Sequence, residues 1–255
     1  MTRTVPARAV AVTGVVAVLF VGLAACSSAE DDKHPDRRGF ALEGRTLTVD
    51  ADDSAVEIVA VADAPEGKVE VTRWFEGKVI AGGEPEVSWK MADDRLTLRM
   101  NCSGVIADCS ARHRIEVPRG IAVTVRSDDG SVRASGFEDA LSIHTKDGSV
   151  RVADSSGPLD LRSDDGSVRA AVDSREVRAR SGDGSVHLEL GVVPDLVESR
   201  SNDGSVTVEL PRAAYRVTAA TDDGAVDVSV PRDENSAHVV SARSADGKVT
   251  VRTAN

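Results

Sequence analysis

Aromatic residues are scarce in this chain of 255 residues: two Trp, one Tyr and four Phe amount to 3% of it. Trp74, Phe75, Trp89 and Tyr215 are nearly all that stand downstream of Phe40. That is too few for a platform on which sugar rings stack, and they read as core or cap filling. Positive charge is also short, with 31 Lys and Arg against 42 Asp and Glu and a formal net charge of −11. An acidic surface gains no affinity from a phosphate backbone, which argues against DNA or RNA as a partner. Cysteine is limited to Cys26, Cys102 and Cys109. No small-molecule substrate or cofactor is indicated.

The N-terminus carries Arg3 and Arg8 and then a nearly uncharged apolar run, Ala9 to Ala25, which reads as a secretory signal. At roughly 15 apolar residues the run is short for a spanning helix, which needs about 20. It closes on Leu23-Ala24-Ala25-Cys26, which resembles the bacterial lipobox. The resemblance implies cleavage before Cys26, thioether lipidation of that cysteine and acylation of the new amino terminus. An ordinary signal peptide with an incidental cysteine is the alternative. Loss of residues 1–25 takes the formal charge to −13. Ser27 to Arg38 mixes both charge signs with a proline and no large apolar side chain, so residues 26–39 are expected to be a disordered tether. His34 stands in it without a metal partner. Cys102 and Cys109 remain as an even pair in an oxidising compartment and are expected to form a disulfide, whose short loop contributes about 2 to 3 kcal/mol. A two-cysteine metal site is the competing reading, and it lacks a second ligand pair nearby.

What the chain has in abundance is one dipeptide. Asp129-Gly130, Asp147-Gly148, Asp165-Gly166, Asp183-Gly184, Asp203-Gly204, Asp223-Gly224 and Asp246-Gly247 recur at glycine spacings of 18, 18, 18, 20, 20 and 23. Such self-similarity marks a stacked repeat architecture. Apolar residues stand two and four positions after each glycine (Val150/Val152, Val186/Leu188) and seven and five before it (Leu141/Ile143, Leu159/Leu161). This alternation at period two, rich in valine, excludes helix and puts two half-buried strands around each turn.

Two all-β architectures fit: an antiparallel hairpin meander or sandwich, which Asp-Gly alone favours, and a β-solenoid of 18- to 20-residue coils, which the fixed columns favour. The solenoid is the expected fold for residues 121–255. Its glycines are expected to turn corners at positive φ and its aspartates to accept hydrogen bonds from their own turns. Ser127, Thr145, Ser163, Ser181, Ser201, Thr221 and Ser244 have the parity of buried positions and are expected to bond along the stack. None has a dedicated histidine and acid, so nucleophilic catalysis is not indicated. Basic columns flank the aspartates, at Arg126, His144, Arg162, Arg180, Arg200 and Arg243 and at Arg133, Arg151 and Arg169, and are expected to balance their charge.

Residues 40–120 lack the regular repeat but keep strand-like runs near Arg45–Val49, Val56–Val59, Val69–Trp74, Val87–Trp89, Arg95–Met100 and Arg114–Val117. Asp53-Ser54-Ala55-Val56 could be a degenerate repeat turn, making this region the divergent capping end of the solenoid. A separate small β-sandwich, with a seam near Pro118-Arg119-Gly120, is the alternative.

The repeated DDGSVRA, the Val117–Gly120 lead-in and the lipoprotein start resemble the bacterial "putative adhesin" family, a domain of unknown function built from Asp-Gly-Ser-Val strand repeats. The resemblance covers roughly Leu42 to Val251. It implies a β-solenoid at the cell surface, supplies no catalytic residues and leaves the adhesin label an analogy. The expectation is a non-enzymatic scaffold or interaction module, held to the outer face of the bacterial cell membrane through Cys26, with cell-wall or envelope proteins as partners. An envelope-stress or signalling accessory and a polysaccharide-active β-helix enzyme are alternatives. The enzyme would need one unique cleft of acids, whereas here the acids repeat. Calcium on the aspartate ladder is a further option, but the Gly-Gly-x-Gly-x-Asp pattern of calcium β-rolls is missing.

Overall fold

Every valine-rich alternation becomes a strand. The computed structural model describes residue 29 and residues 32–254; the expected signal segment and Cys26 lie outside the described residues. In chain order the irregular half supplies β1 (Asp36–Ala41), β2 (Thr46–Ala51), β3 (Ala55–Val61), β4 (Lys68–Gly82), β5 (Glu86–Ala92), β6 (Arg95–Asn101) and β7 (Gly104–Pro118). The first four repeat units supply β8 (Ala122–Ser127), β9 (Val132–Ser135), β10 (Leu141–Thr145), β11 (Val150–Ala153), β12 (Leu159–Ser163), β13 (Val168–Val172), β14 (Glu176–Ser181) and β15 (Val186–Leu190). The last three supply β16 (Leu196–Arg200), β17 (Val206–Leu210), β18 (Arg216–Thr221), β19 (Val226–Val228), β20 (Val239–Ser244) and β21 (Val249–Thr253).

Each unit is one coil of two strands, joined at the Asp-Gly turn, and the strands fall into two sheets of 11 and 10. Coils pair in parallel with equivalent residues opposite one another: Leu141↔Leu159, Ile143↔Leu161 on one sheet and Val150↔Val168, Val152↔Ala170 on the other. Parallel in-register pairing excludes the hairpin meander and gives the solenoid. The inward columns from the two sheets meet in one continuous core. Val123, Val125, Leu159, Leu161, Val186 and Leu188 are each at most 2% exposed, a burial that contributes about 1.5 to 3 kcal/mol per side chain.

Stacking order departs from chain order at the C-terminal end. β20 pairs with β16 on one side and β18 on the other, and β21 lies between β17 and β19. The seventh unit therefore sits between the fifth and the sixth, and the sixth is the outermost coil. Its core positions show it: Val226 is 46% exposed, against 0% for Val206 and Val249 in the same column.

Residues 40–120 continue the same two sheets. β2 pairs in parallel with β8, and β3 with β9. A Cβ on Gly130 would overlap the Ser54 carbonyl oxygen, so Asp52–Ser54 occupies the turn position of the repeat. β6 and β7 add one further coil beyond β2 and β3. There is no seam at Pro118 and no separate sandwich. Three strands then close the open end in antiparallel fashion: β4 on β7, β1 on β4 and β5 on β6. Phe40 and Trp89 meet edge-to-face beneath them, at a centroid distance of 6.1 Å. The tether expected through residue 39 is shorter than its composition suggested, because Asp36–Gly39 lie within β1 and pair with Glu70–Arg73. Their side chains remain exposed, and it is backbone pairing that orders them. Cys102 and Cys109 are disulfide-bonded across the start of β7.

The Ser/Thr column binds the turns together. Gly166 N–H donates to Ser163 Oγ at 2.8 Å, and Ser163 Oγ donates to the Gly148 carbonyl of the neighbouring coil at 2.8 Å. The same relay runs through Ser201 (Gly204 N–H, Gly184 carbonyl) and Ser244 (Gly247 N–H, Gly204 carbonyl). The expected reason for the repeat glycines is corrected: among the described residues, positive φ at glycine is confined to Gly67, Gly120 and Gly136. The turn glycines are needed because each Cα lies against the carbonyl below it. A Cβ on Gly148 would overlap the Gly130 oxygen, one on Gly166 the Gly148 oxygen, and one on Gly184 the Gly166 oxygen.

The core also holds a titratable imidazole. His113 on β7 is 1% exposed, and neither ring nitrogen has a hydrogen-bond partner. Burial, reinforced by the nearby Arg73 charge, lowers its pKa to about 4.

Two measurements follow from this packing. Gly148→Ala is expected to cost about 2 kcal/mol in chemical denaturation by overpacking, while Gly83→Ala, whose Cβ would meet nothing within 4 Å, leaves stability unchanged. For His113, the unfolded chain binds a proton near pH 6.5 and the folded chain only near 4, so its stabilisation is lost as pH falls through that window. His113→Leu should flatten the decline in unfolding free energy between pH 6.5 and 4 by on the order of 3 kcal/mol.

Candidate functional site

The outward residues of a parallel stack form columns as regular as the inward ones. In-register pairing on the ten-stranded sheet places Arg126, His144, Arg162, Arg180, Arg200 and Arg243 side by side. Successive side chains are then one strand spacing apart, about 4.8 Å. The ladder stops at Ala220 on the outermost strand.

The charges around this ladder are unevenly satisfied. Arg162 pairs with Asp164 at 3.0 Å, a carboxylate that also faces His144 at 3.6 Å, and Lys146 pairs with Asp128. In the adjacent outward column Arg178 pairs with Glu198 at 3.2 Å and also with Glu176 of its own strand. Arg180, Arg200 and Arg243 are exposed and have no ion-pair partner among the described residues. A hollow of about 650 Å³ opens over them, lined also by Arg162, Asp183 and Asn202. Such a surface holds several free guanidinium forks in a row, each suited to a carboxylate or phosphate.

The seven aspartates do something other than expected. The turn's hydrogen bonds run through serine, threonine and glycine, and the carboxylates point outward as a ridge. Asp129 and Asp147 share a side-chain hydrogen bond, which, with partial desolvation and repulsion from Asp147 and Asp128, raises the Asp129 pKa above its usual 3.8. Burial and then repulsion from Asp52, Asp129 and Asp128 raise that of Asp53. The repeat aspartates therefore do not brace their own turns, and the arginine columns do not neutralise them pairwise: the salt bridges go to Asp128 and Asp164, one residue earlier in their turns. Among the described residues no group of three or more His, Cys, Asp or Glu converges as a metal site would require.

The structure thus brings Asp129, Asp147, Asp165, Asp183, Asp203, Asp246 and Asp223, with their glycines, into one edge in that order. It places the Cys102–Cys109 disulfide near the other end of the stack. The basic columns were legible in the sequence; the unpaired state of Arg180, Arg200 and Arg243 was not, because it depends on which acids neighbouring coils present. The second basic column lies on the other sheet, where Arg133, Arg151 and Arg169 continue from Glu57 and end at His187, 3.5 Å from Glu209.

A family model described as Toastrack DUF4097 matches residues 114–255. Among solved structures the chain is similar to a "putative adhesin" from Bacteroides fragilis, at 13% identity and a TM-score of 0.54, over 89% of this chain and 100% of that one. It is also similar to a "putative adhesin" from Parabacteroides distasonis, at 12% identity and a TM-score of 0.49, over 89% and 99%. At such identity the Bacteroides structure supports the fold. No curated protein matches the chain.

Because folding raises the Asp129 pKa, its contribution is full below about pH 3.8 and is lost as the carboxyl ionises with rising pH. Asp129→Asn should therefore raise the melting temperature at pH 7 and leave it unchanged at pH 3, as thermal unfolding at the two pH values would read. A drop at pH 7 would mean that the carboxylate braces the turn after all.

Proposed function

We propose that this chain, which belongs to the Toastrack DUF4097 family, is a lipid-anchored, non-enzymatic interaction module on the outer face of the cell membrane. Its partner is an acidic component of the cell wall or envelope. The observation that carries this reading is the row of unpaired guanidinium groups at Arg180, Arg200 and Arg243 over a hollow of about 650 Å³, on a chain of strongly acidic balance. Repetition at one coil spacing suits a ligand that repeats its anionic groups, and it suits no single small substrate. Catalysis asks instead for one acid or base set apart from its neighbours by its environment, and the acids beside the ladder recur coil after coil. Cys26, following Leu23-Ala24-Ala25, supplies the attachment.

The ladder is expected to work through several weak contacts. Sedimentation of the purified full chain with isolated cell walls should show retention that falls with added salt. Replacing Arg180, Arg200 and Arg243 together by Gln should weaken retention about tenfold, because three exposed charge contacts together supply about 1.4 kcal/mol or more. The melting temperature should hold, since none of the three is buried. Retention unaffected by the triple substitution would remove the ladder as the binding face.

A further inference from the structure

Four large apolar side chains are exposed among the described residues, and three of them meet at one place: Ile80 is 53% exposed, Val105 82% and Ile106 60%. They lie where β4 and β7 outrun the rest of their sheet. The two strands stay paired from Phe75↔Ala111 to Gly82↔Gly104, with Ile80 directly opposite Ile106. On one side β3 begins only at Ala55↔Arg112, and on the other β1 begins only at Asp36↔Arg73. The outer part is therefore a two-stranded ribbon without sheet neighbours, which in water is marginal on its own. The Cys102–Cys109 disulfide joins β7, at the position where Cys109 pairs with Gly77, to the residues that lead into that strand. Ala81, Gly82, Gly83, Gly104 and Ala107 are also exposed, so small and apolar residues make up most of the tip. Such a patch, on a ribbon whose β7 strand is held to its own lead-in by a disulfide, is the mark of a surface that meets something.

The course of the N-terminal chain points to what it meets. β1 runs antiparallel to β4, so the residues preceding Asp36 head in the direction in which β4 travels, toward Ile80. Asp32 is already alongside the ribbon, its carboxylate accepting the Phe75 N–H at 3.1 Å. Six positions separate Asp32 from Cys26 and can span at most about 20 Å. Seven separate Phe75 from Gly82, a comparable reach. The described chain thus enters the fold at Asp32–Asp36 on the side of the exposed apolar tip, and Cys26 precedes it in sequence by no more than that reach.

We propose that the ribbon tip is a second membrane contact, in which Ile80, Val105 and Ile106 enter the apolar boundary of the bilayer that holds the N-terminus. The inference rests on the anchoring reading above. A short tether alone would let an acidic domain tumble and stand off from an anionic surface. A second, apolar contact fixes its orientation, with Lys78 beside the tip at headgroup level. The capped N-terminal end of the stack then lies against the bilayer and the later coils extend away from it, carrying Arg180, Arg200 and Arg243 with them.

The test uses the full chain reconstituted in phosphatidylcholine–phosphatidylglycerol vesicles that contain a diazirine-bearing lipid. Flotation reports anchoring, and mass spectrometry of the photolabelled chain reports contact. The expected result is labelling concentrated in residues 79–82 and 104–107. Val105→Asp combined with Ile106→Asp should lower that labelling about tenfold without changing flotation. A chain that floats but leaves the tip unlabelled overturns the tip contact while the anchor stands. A chain that does not float overturns both. Crosslinks from the tip to a second copy instead of lipid would assign the apolar surface to self-association and overturn the membrane contact.

Discussion

A serine or threonine hydroxyl that accepts its own coil's glycine N–H and donates to the preceding coil's glycine carbonyl sets the spacing of the turns, and with it the rest of the solenoid. Hydrogen bonds at 2.8 to 3.0 Å through Ser163, Ser201 and Ser244 leave no room for a Cβ at the glycine, because the carbonyl of one turn lies under the Cα of the next. Each such bond contributes only about 1 kcal/mol net, but an unpaired hydroxyl in the same buried place would cost about 1 to 3 kcal/mol. Exposed ion pairs on the outer face are worth about 0 to 1 kcal/mol each. The column that looks least chemical therefore has the tightest structural requirement, and the charged columns are free to vary.

That freedom is visible along the ladder. Serine or threonine stands at the relay position in all seven units, while the outward position next to it changes from arginine to His144 and Ala220. An outward column that need not hold the coils together can serve recognition, and four of its arginines, Arg126, Arg180, Arg200 and Arg243, have no ion-pair partner among the described residues.

Stacked coils leave two open ends, and the chain closes them differently. At the start, β1, β4 and β5 turn antiparallel and cover the core with Phe40 and Trp89. At the other end the seventh unit slips behind the sixth, so that the outermost coil is the one with Ala220 and Asp227 in place of basic residues. Tyr215 lies at that end, fully buried, and donates its hydroxyl to the Pro211 carbonyl at 2.8 Å. Short β19 and charged Asp222, Asp223 and Asp227 make this edge a poor template for another strand.

The period-two valine columns and the recurring Asp-Gly turns were enough to establish two strands per coil, the inward serines and the basic stripes, because alternation and repetition are local properties that any strand stack must translate into faces. The Cys102–Cys109 pairing was legible for the same reason, from number and proximity. The role of glycine was not, since a close approach between coils looks in one sequence like a need for positive φ. Nor was the partition of charge, the order of the last two coils, the strand made from Asp36–Ala41 or the apolar ribbon tip. Each of these depends on which distant segment lies alongside, and only the packed backbone, by bringing residues 23 to 76 positions apart to one strand spacing, decided them.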